Sequence, residues 1–161
     1  PAEFADIFDR MRAPEDPTVY VNITAKIDPD DAPGGGENWF VLINAPHSQG
    51  QDWTSEVPRV RQTILSRVGS ALGFDVASAI DVEGVMTPED IEAKTDSHGG
   101  SLYGISSNSV TAAFSRHRNR SRRYPGLFLC GVSTHPGGGM PLVILSGRIV
   151  SELIRRHHPP G

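Results

Sequence analysis

The stretch STHPGGGMP, residues 133–141, sets a histidine two residues ahead of three consecutive glycines and a proline two residues behind them. Glycine loses more backbone freedom on folding than any other residue. A triplet therefore marks either an unconstrained loop or a backbone that must approach something closely. Its flanks decide between these. GLFLCGV, residues 126–132, reads as a short buried strand, and in MPLVILSGRIVSELI the residues Leu142, Leu145, Ile149 and Leu153 recur at helical spacing. Pro141 falls in the first helical turn, where its missing N–H is no loss. Strand, glycine turn and helix in that order aim unpaired backbone N–H groups and the positive end of a helix dipole at one point. An anionic or electron-rich ligand suits such a place.

Other chemistries fail on spacing. No Lys-Ser/Thr pair follows the glycines, as a nucleotide P-loop requires. Gly131, Gly137 and Gly139 do not give G-x-G-x-x-G, and the only acid downstream, Glu152, falls within the predicted helix rather than at the end of a second strand. Ser133 has Gly131 two residues before it, but His135 stands where a hydrolase elbow needs its second glycine. The six histidines, at 47, 98, 117, 135, 157 and 158, show no metal-ligand spacing, so no metal is expected. Cys130 is expected in the core of its strand. As the single cysteine it excludes an internal disulfide and fits a reducing compartment.

The elements that must position the turn are legible in part. VYVNITA, 19–25, alternates as a half-buried strand, and WFVLINA, 39–45, is apolar on both faces and reads as an interior strand. Between them KIDPDDAPGGGEN forms a long solvated hairpin loop. Its own glycines, 34–36, have acidic company and no helix after them, so there the plain loop reading holds. Val57, Val60, Ile64, Val68 and Leu72 mark one helix face, with Gly73 as the stop. AIDVEGV, 79–85, alternates as a strand. TPEDIEAK predicts a short helix with Thr87 as cap and Pro88 first, ending before the Gly99-Gly100 pair. SLYGISSNSVTAAF has no clear period, and there is no internal repeat.

The run SRHRNRSRR, 115–123, holds five arginines and a histidine. It suits phosphate, RNA, an anionic membrane surface or a solvated linker, and it marks a boundary between strand-hairpin-helix and strand-turn-helix. A length of 161 residues suits one domain or two small ones. A net charge of −4 and a pI near 5.8 argue against a protein built mainly to bind nucleic acid. No apolar run approaches a membrane span. No signal peptide is visible, and the chain opens on Pro1 rather than methionine.

GLFLCGVSTHPGGGMPLVILSGRIVSELI resembles the C-terminal flavin-binding segment of bacterial-type phytoene desaturases and related carotenoid dehydrogenases. The likeness extends through GGSLYGISSNS, AAFSRHRNRSRRYPGLFLCG and VYVNITAKIDPDDAPGGGENWFVLINAP, and G-x-[ST]-x-H-P-G-G-G-x-P is its most specific part. The resemblance implies an α+β chain, α/β in the intact enzyme. Residues 1–118 would be the C-terminal portion of an antiparallel-sheet substrate domain, and 119–161 the closing strand-turn-helix of a Rossmann-like FAD domain.

The resemblance also implies non-covalent FAD, faced by Gly131, His135, Gly137, Gly138, Gly139, Met140 and Pro141. The substrate would be an apolar polyene, losing a hydride and a proton from adjacent carbons, in a cytoplasmic enzyme peripherally associated with the membrane. A helix N-terminus near Met140 would favour negative charge on the reduced ring by up to about 1–2 kcal/mol. Family members are roughly three times as long as this chain, which lacks their N-terminal G-x-G-x-x-G and looks like their C-terminal third. Alone it is expected to be inactive and to self-associate. The resemblance assigns no catalytic residue within it. Two other readings stay open: a flavin oxidoreductase of the same superfamily acting on a retinoid or an amine, and a non-enzymatic binding module.

Overall fold

The computed structural model of the chain describes residues 2–103 and 116–158. Most of SLYGISSNSVTAAF, and Ser115 at the head of the arginine run, lie outside them. The chain divides into two compact units, Pro1–Asp90 and Ile91–Gly161. The 118/119 division read from the sequence assigns stretches to regions of a longer enzyme rather than to these compact units.

The first unit holds helix α1 (Ala2–Phe8), strands β1 (Val19–Ile23) and β2 (Trp39–Ile43), and helix α2 (Trp53–Leu72). β1 and β2 pair antiparallel, with Val21 opposite Val41 and Ile23 opposite Trp39. Burial alternates along both. Tyr20, Phe40 and Leu42 share the open face at 52%, 60% and 40% exposure, so β2 is not an interior strand. A strand is buried on both faces only when a layer covers each; here the opposite face, Val19, Val21, Ile23, Trp39, Val41 and Ile43, is only half-buried. Its long loop is pinned by Asn38, whose Oδ1 accepts from Ala25 N (2.9 Å) and whose Nδ2 donates to Thr24 Oγ1 (2.6 Å). Lys26 pairs with Glu37, and this pairing, with a hydrogen bond from Trp39, holds the Glu37 carboxyl below its ordinary pKa.

α2 starts at Trp53, earlier than the apolar spacing indicates, and so takes Pro58 into its interior. The reason is its cap. Asp52 Oδ1 accepts from Thr54 N (3.1 Å) and Ser55 N (3.3 Å), satisfying N–H groups that the first turn leaves over. Gly73 ends the helix at φ 78°, as the sequence predicts. Two arginines of α2 reach main-chain carbonyls of the preceding segment: Arg59 donates to Ala13 O (2.9 Å) and Arg67 to Pro17 O. There Pro14 and Pro17 are fully buried.

Asp6 of α1 is 3% exposed and accepts from Arg10 Nη1 (2.8 Å), Arg12 Nε (2.9 Å) and Glu15 N (3.3 Å). Hydrogen bonds from Arg10 and then Arg12 lower its pKa from 3.8 to about 2. The folded carboxyl thus holds its proton less tightly than the unfolded one, and acid favours unfolding. The contribution is whole above the unfolded value of 3.8 and is lost as the pH falls through 2. Melting temperature is expected to drop across that window, and Asp6→Asn to flatten the drop while lowering stability at neutral pH. Parallel melting curves for variant and parent between neutral pH and 2 would contradict this.

No strand forms over 79–85. A 3-10 turn spans Val76–Ala79, Val82 is 92% exposed, and Glu83 is held by Arg61 through bonds of 2.7–2.9 Å. Alternation alone does not make a strand where no neighbouring edge accepts its hydrogen bonds. That ion pair lowers the Glu83 carboxyl pKa.

α3 (Pro88–Thr95) begins on the expected cap: Thr87 Oγ1 accepts from Asp90 N (3.2 Å) while Asp90 Oδ2 accepts from Thr87 N (2.8 Å). In the second unit, Gly99 and Gly100 turn the chain at positive φ, and α4 (Met140–His157) closes the fold. Residues 126–132 form no extended strand. They make a single antiparallel bridge, Arg120 with Phe128, and Leu129 N donates to Asn119 O (2.9 Å). Leu127 and Leu129 are 41% and 37% exposed, and Cys130 is exposed rather than in a core. One ladder edge is paired and, among the described residues, no layer covers the segment, so its apolar character does not translate into burial. Helices and one antiparallel ribbon make the described residues α+β. Among them no helix is long and apolar enough to cross a membrane, and no group of three metal-ligating side chains occurs.

Candidate functional site

The turn from Gly131 to α4 gathers the residues read as a ligand-facing set. Gly131, Gly137 and Gly139 have φ of 125°, 137° and 99°, values that L side chains rarely adopt. A Cβ on Gly131 or Gly139 would meet open space, whereas one on Gly137 would lie 3.2 Å from Arg116 Nε. Gly138 differs from its neighbours. Its φ is ordinary, but a Cβ there would sit 2.8 Å from Tyr103 Cδ1 and 3.3 Å from Val132 Cγ2. The middle glycine is therefore required by an aromatic ring of this chain, whichever ligand the turn faces.

Gly139 is the N-cap of α4 and offers no side chain to cap it; the first helical bond runs from Val143 N to Gly139 O (2.9 Å). Pro141 supplies no N–H, and Met140 is 80% exposed. The helix end thus presents bare main chain beside open glycine backbone. That arrangement suits an anionic or electron-rich ligand. The His135–Pro136 peptide is cis.

A polar cluster that the sequence reading missed holds this turn. Ser146 of α4 is fully buried, and Asn119 and Thr134 are each 6% exposed. Asn119 Nδ2 lies 2.8 Å from His135 O, 3.0 Å from Ser146 Oγ and 3.1 Å from Leu129 O. Ser146 Oγ donates to His135 O (3.0 Å) and accepts from Gly131 N (3.2 Å). Thr134 Oγ1 bridges Gly131 O and Ser146 Oγ, both at 2.9 Å. One signal was available: Ser146 stands four residues after Leu142 and four before Val150, a hydroxyl on the inward face of an apolar helix. Asn119 was hidden inside the arginine run.

His135 lines an open groove of about 570 Å³ with Arg118, Arg120, Arg122 and Leu153. Residues 116–158 carry eight arginines and a single acid, Glu152, so the chain's overall negative charge conceals a strongly basic stretch.

No protein-family model matches the chain. It is 50% identical over 153 residues to the 1-hydroxycarotenoid 3,4-desaturase of Flavobacterium sp. (strain P99-3), covering 95% of this chain and 31% of that protein. The zeta-carotene-forming phytoene desaturase of Myxococcus xanthus is 39% identical over 92% of this chain and 29% of its own length. A 4,4'-diaponeurosporene oxygenase of Staphylococcus aureus (strain bovine RF122 / ET3-1) is 36% identical, over 94% of this chain and 31% of its own length. The chain thus spans about three-tenths of the length of these curated relatives. By sequence the chain is related over more than nine-tenths of its length to carotenoid desaturases and corresponds to a segment of such proteins.

Proposed function

We propose that this chain is the C-terminal segment of an FAD-dependent carotenoid desaturase acting on an apolar polyene. The 50% identity to a 1-hydroxycarotenoid 3,4-desaturase over 95% of the chain carries the reading. Residues 1–118 are assigned to the substrate region and 119–161 to a Rossmann-like flavin region. Bound non-covalently, FAD would take up the two electrons released as the polyene gains a double bond. Gly131, His135, Gly137, Gly138, Gly139, Met140 and Pro141 face the ring. The glycines admit it without a Cβ in the way, and the uncapped start of α4 holds the negative charge that builds up on its edge. Peripheral association with the membrane from the cytoplasmic side suits a polyene substrate; the arginine run and the exposed Tyr124 and Leu127 beside it support that placement.

Two measurements test the reading. The 161-residue chain alone is expected to purify without stoichiometric flavin, because it carries no G-x-G-x-x-G turn for the ADP half. The longer enzyme, incubated with a carotenoid, is expected to yield a product lighter by two hydrogens. A dialysis-resistant yellow protein from the chain alone would refute the shared-site account. The similarity to an oxygenase favours one second reading, a product heavier by one oxygen, which mass spectrometry separates from desaturation.

A further inference from the structure

Resting on the flavin reading of the turn, we propose that Asn119 and Ser146 are positioning residues that fix the main chain of Gly131 and His135 toward the ring. The cluster joins three stretches distant in sequence: the arginine run, the turn and α4. Every partner that Asn119 Nδ2 meets is an acceptor: His135 O at 2.8 Å, Leu129 O at 3.1 Å and Ser146 Oγ at 3.0 Å. An amide nitrogen serves the three with two protons, one of them shared, whereas a carboxylate presents none. His135 O receives protons from both Asn119 and Ser146, which sets the plane of the peptide that leads into the glycines. Gly131 is gripped at both ends, its N–H by Ser146 and its carbonyl by Thr134. One buried hydroxyl thereby ties together the two ends of the ring-facing backbone. Ser146 is fully buried, so water does not substitute for a lost partner, and an unmade bond costs its full desolvation.

Asn119→Asp in the longer enzyme tests this through a pH profile. Ionised, the new side chain turns a carboxylate toward two carbonyls and a hydroxyl; protonated, it restores one donor. FAD affinity is expected to fall by about tenfold or more between mildly acidic and mildly alkaline pH in the variant, with the flavin absorption envelope changing alongside. Arg118, Arg120, Arg122, His117 and His135 are the charged and titratable groups nearest the cluster, and the wild type, titrated in parallel, controls for them. Ser146→Ala keeps the volume and removes the shared hydroxyl. It is expected to weaken FAD by about tenfold at every pH, and Ser146→Thr to recover part of that loss. If Asn119→Asp does not fold, the Ser146 pair decides alone. Variants that match the wild type in affinity, spectrum and pH dependence overturn the inference, provided the wild type itself binds FAD. A wild type that takes up no FAD overturns the flavin reading, and this inference with it.

Discussion

Gly138→Val in the longer enzyme is expected to yield folded protein that has lost its FAD, while Gly34→Ala keeps a full complement. The two glycines sit in triplets that composition does not separate. At position 138 even a Cβ would come within 2.8 Å of the Tyr103 ring and 3.3 Å of Val132 Cγ2, and valine adds two methyl groups to that collision. Overpacking of this kind costs about 1–3 kcal/mol and is relieved by backbone movement, here of the turn proposed to face the ring. Gly34 meets nothing within 4 Å and has an ordinary φ, whereas Gly35, at φ +83°, would be strained by any side chain and makes a poor control. FAD per mole of purified protein is the readout. Adding Tyr103→Ala to Gly138→Val separates two causes. Recovery of FAD places the collision at Tyr103, and continued loss places it at the ring itself. Equal retention in Gly138→Val and Gly34→Ala would refute the account of the turn, and equal loss would mean that the hairpin loop reaches the cofactor.

The 161-residue chain on its own is expected to self-associate. In its first unit the ribbon turns Tyr20, Phe40 and Leu42 to solvent; in its second, α4 leaves Met140 and Ile144 at 80% and 72% exposure. Apolar faces of this kind are normally covered, and an unpaired strand edge adds a second route to association. Sedimentation should show mass rising with concentration through the micromolar range. Ile144→Glu and Phe40→Ser together should lower it. A clean monomer throughout would show that the exposed apolar side chains do not drive contact.

What the sequence disclosed and what it hid follow one physical division. Elements set by neighbouring residues were legible: the Thr87–Asp90 cap of α3, the Gly73 stop of α2, the strand pair and the helix behind Pro141. Features that depend on what lies across space were not. GLFLCGV reads as buried because it is apolar, yet exposure is decided by whether another layer covers it. AIDVEGV alternates as a strand does, but no edge receives it. The seven residues of the turn were read from the sequence as one ligand-facing set, and the structure places them in the turn that leads into α4. Asn119 and Ser146 escaped since neither has a local pattern: one is a neutral amide among arginines, the other a single hydroxyl among aliphatics. Their importance comes from acceptors 10–27 residues away.

The arginines of α2 have a consequence for how the first unit tolerates mutation. Besides their carboxylate partners Glu56 and Asp16, Arg59 and Arg67 reach the carbonyls of Ala13 and Pro17, and every amino acid carries a carbonyl. An anchor built on a carboxylate is lost when the acid is replaced. An anchor on the main chain survives a change of the residue that receives it, as long as the backbone keeps its path. The vulnerability is therefore one-sided. Positions 13 and 17 can drift within the limits of packing, while 59 and 67 need a planar fork, which lysine does not supply. Each guanidinium also pairs with a carboxylate, Arg59 with Glu56 and Arg67 with Asp16, both at 2.6 Å, and added salt should loosen those pairs before it loosens the bonds to the carbonyls.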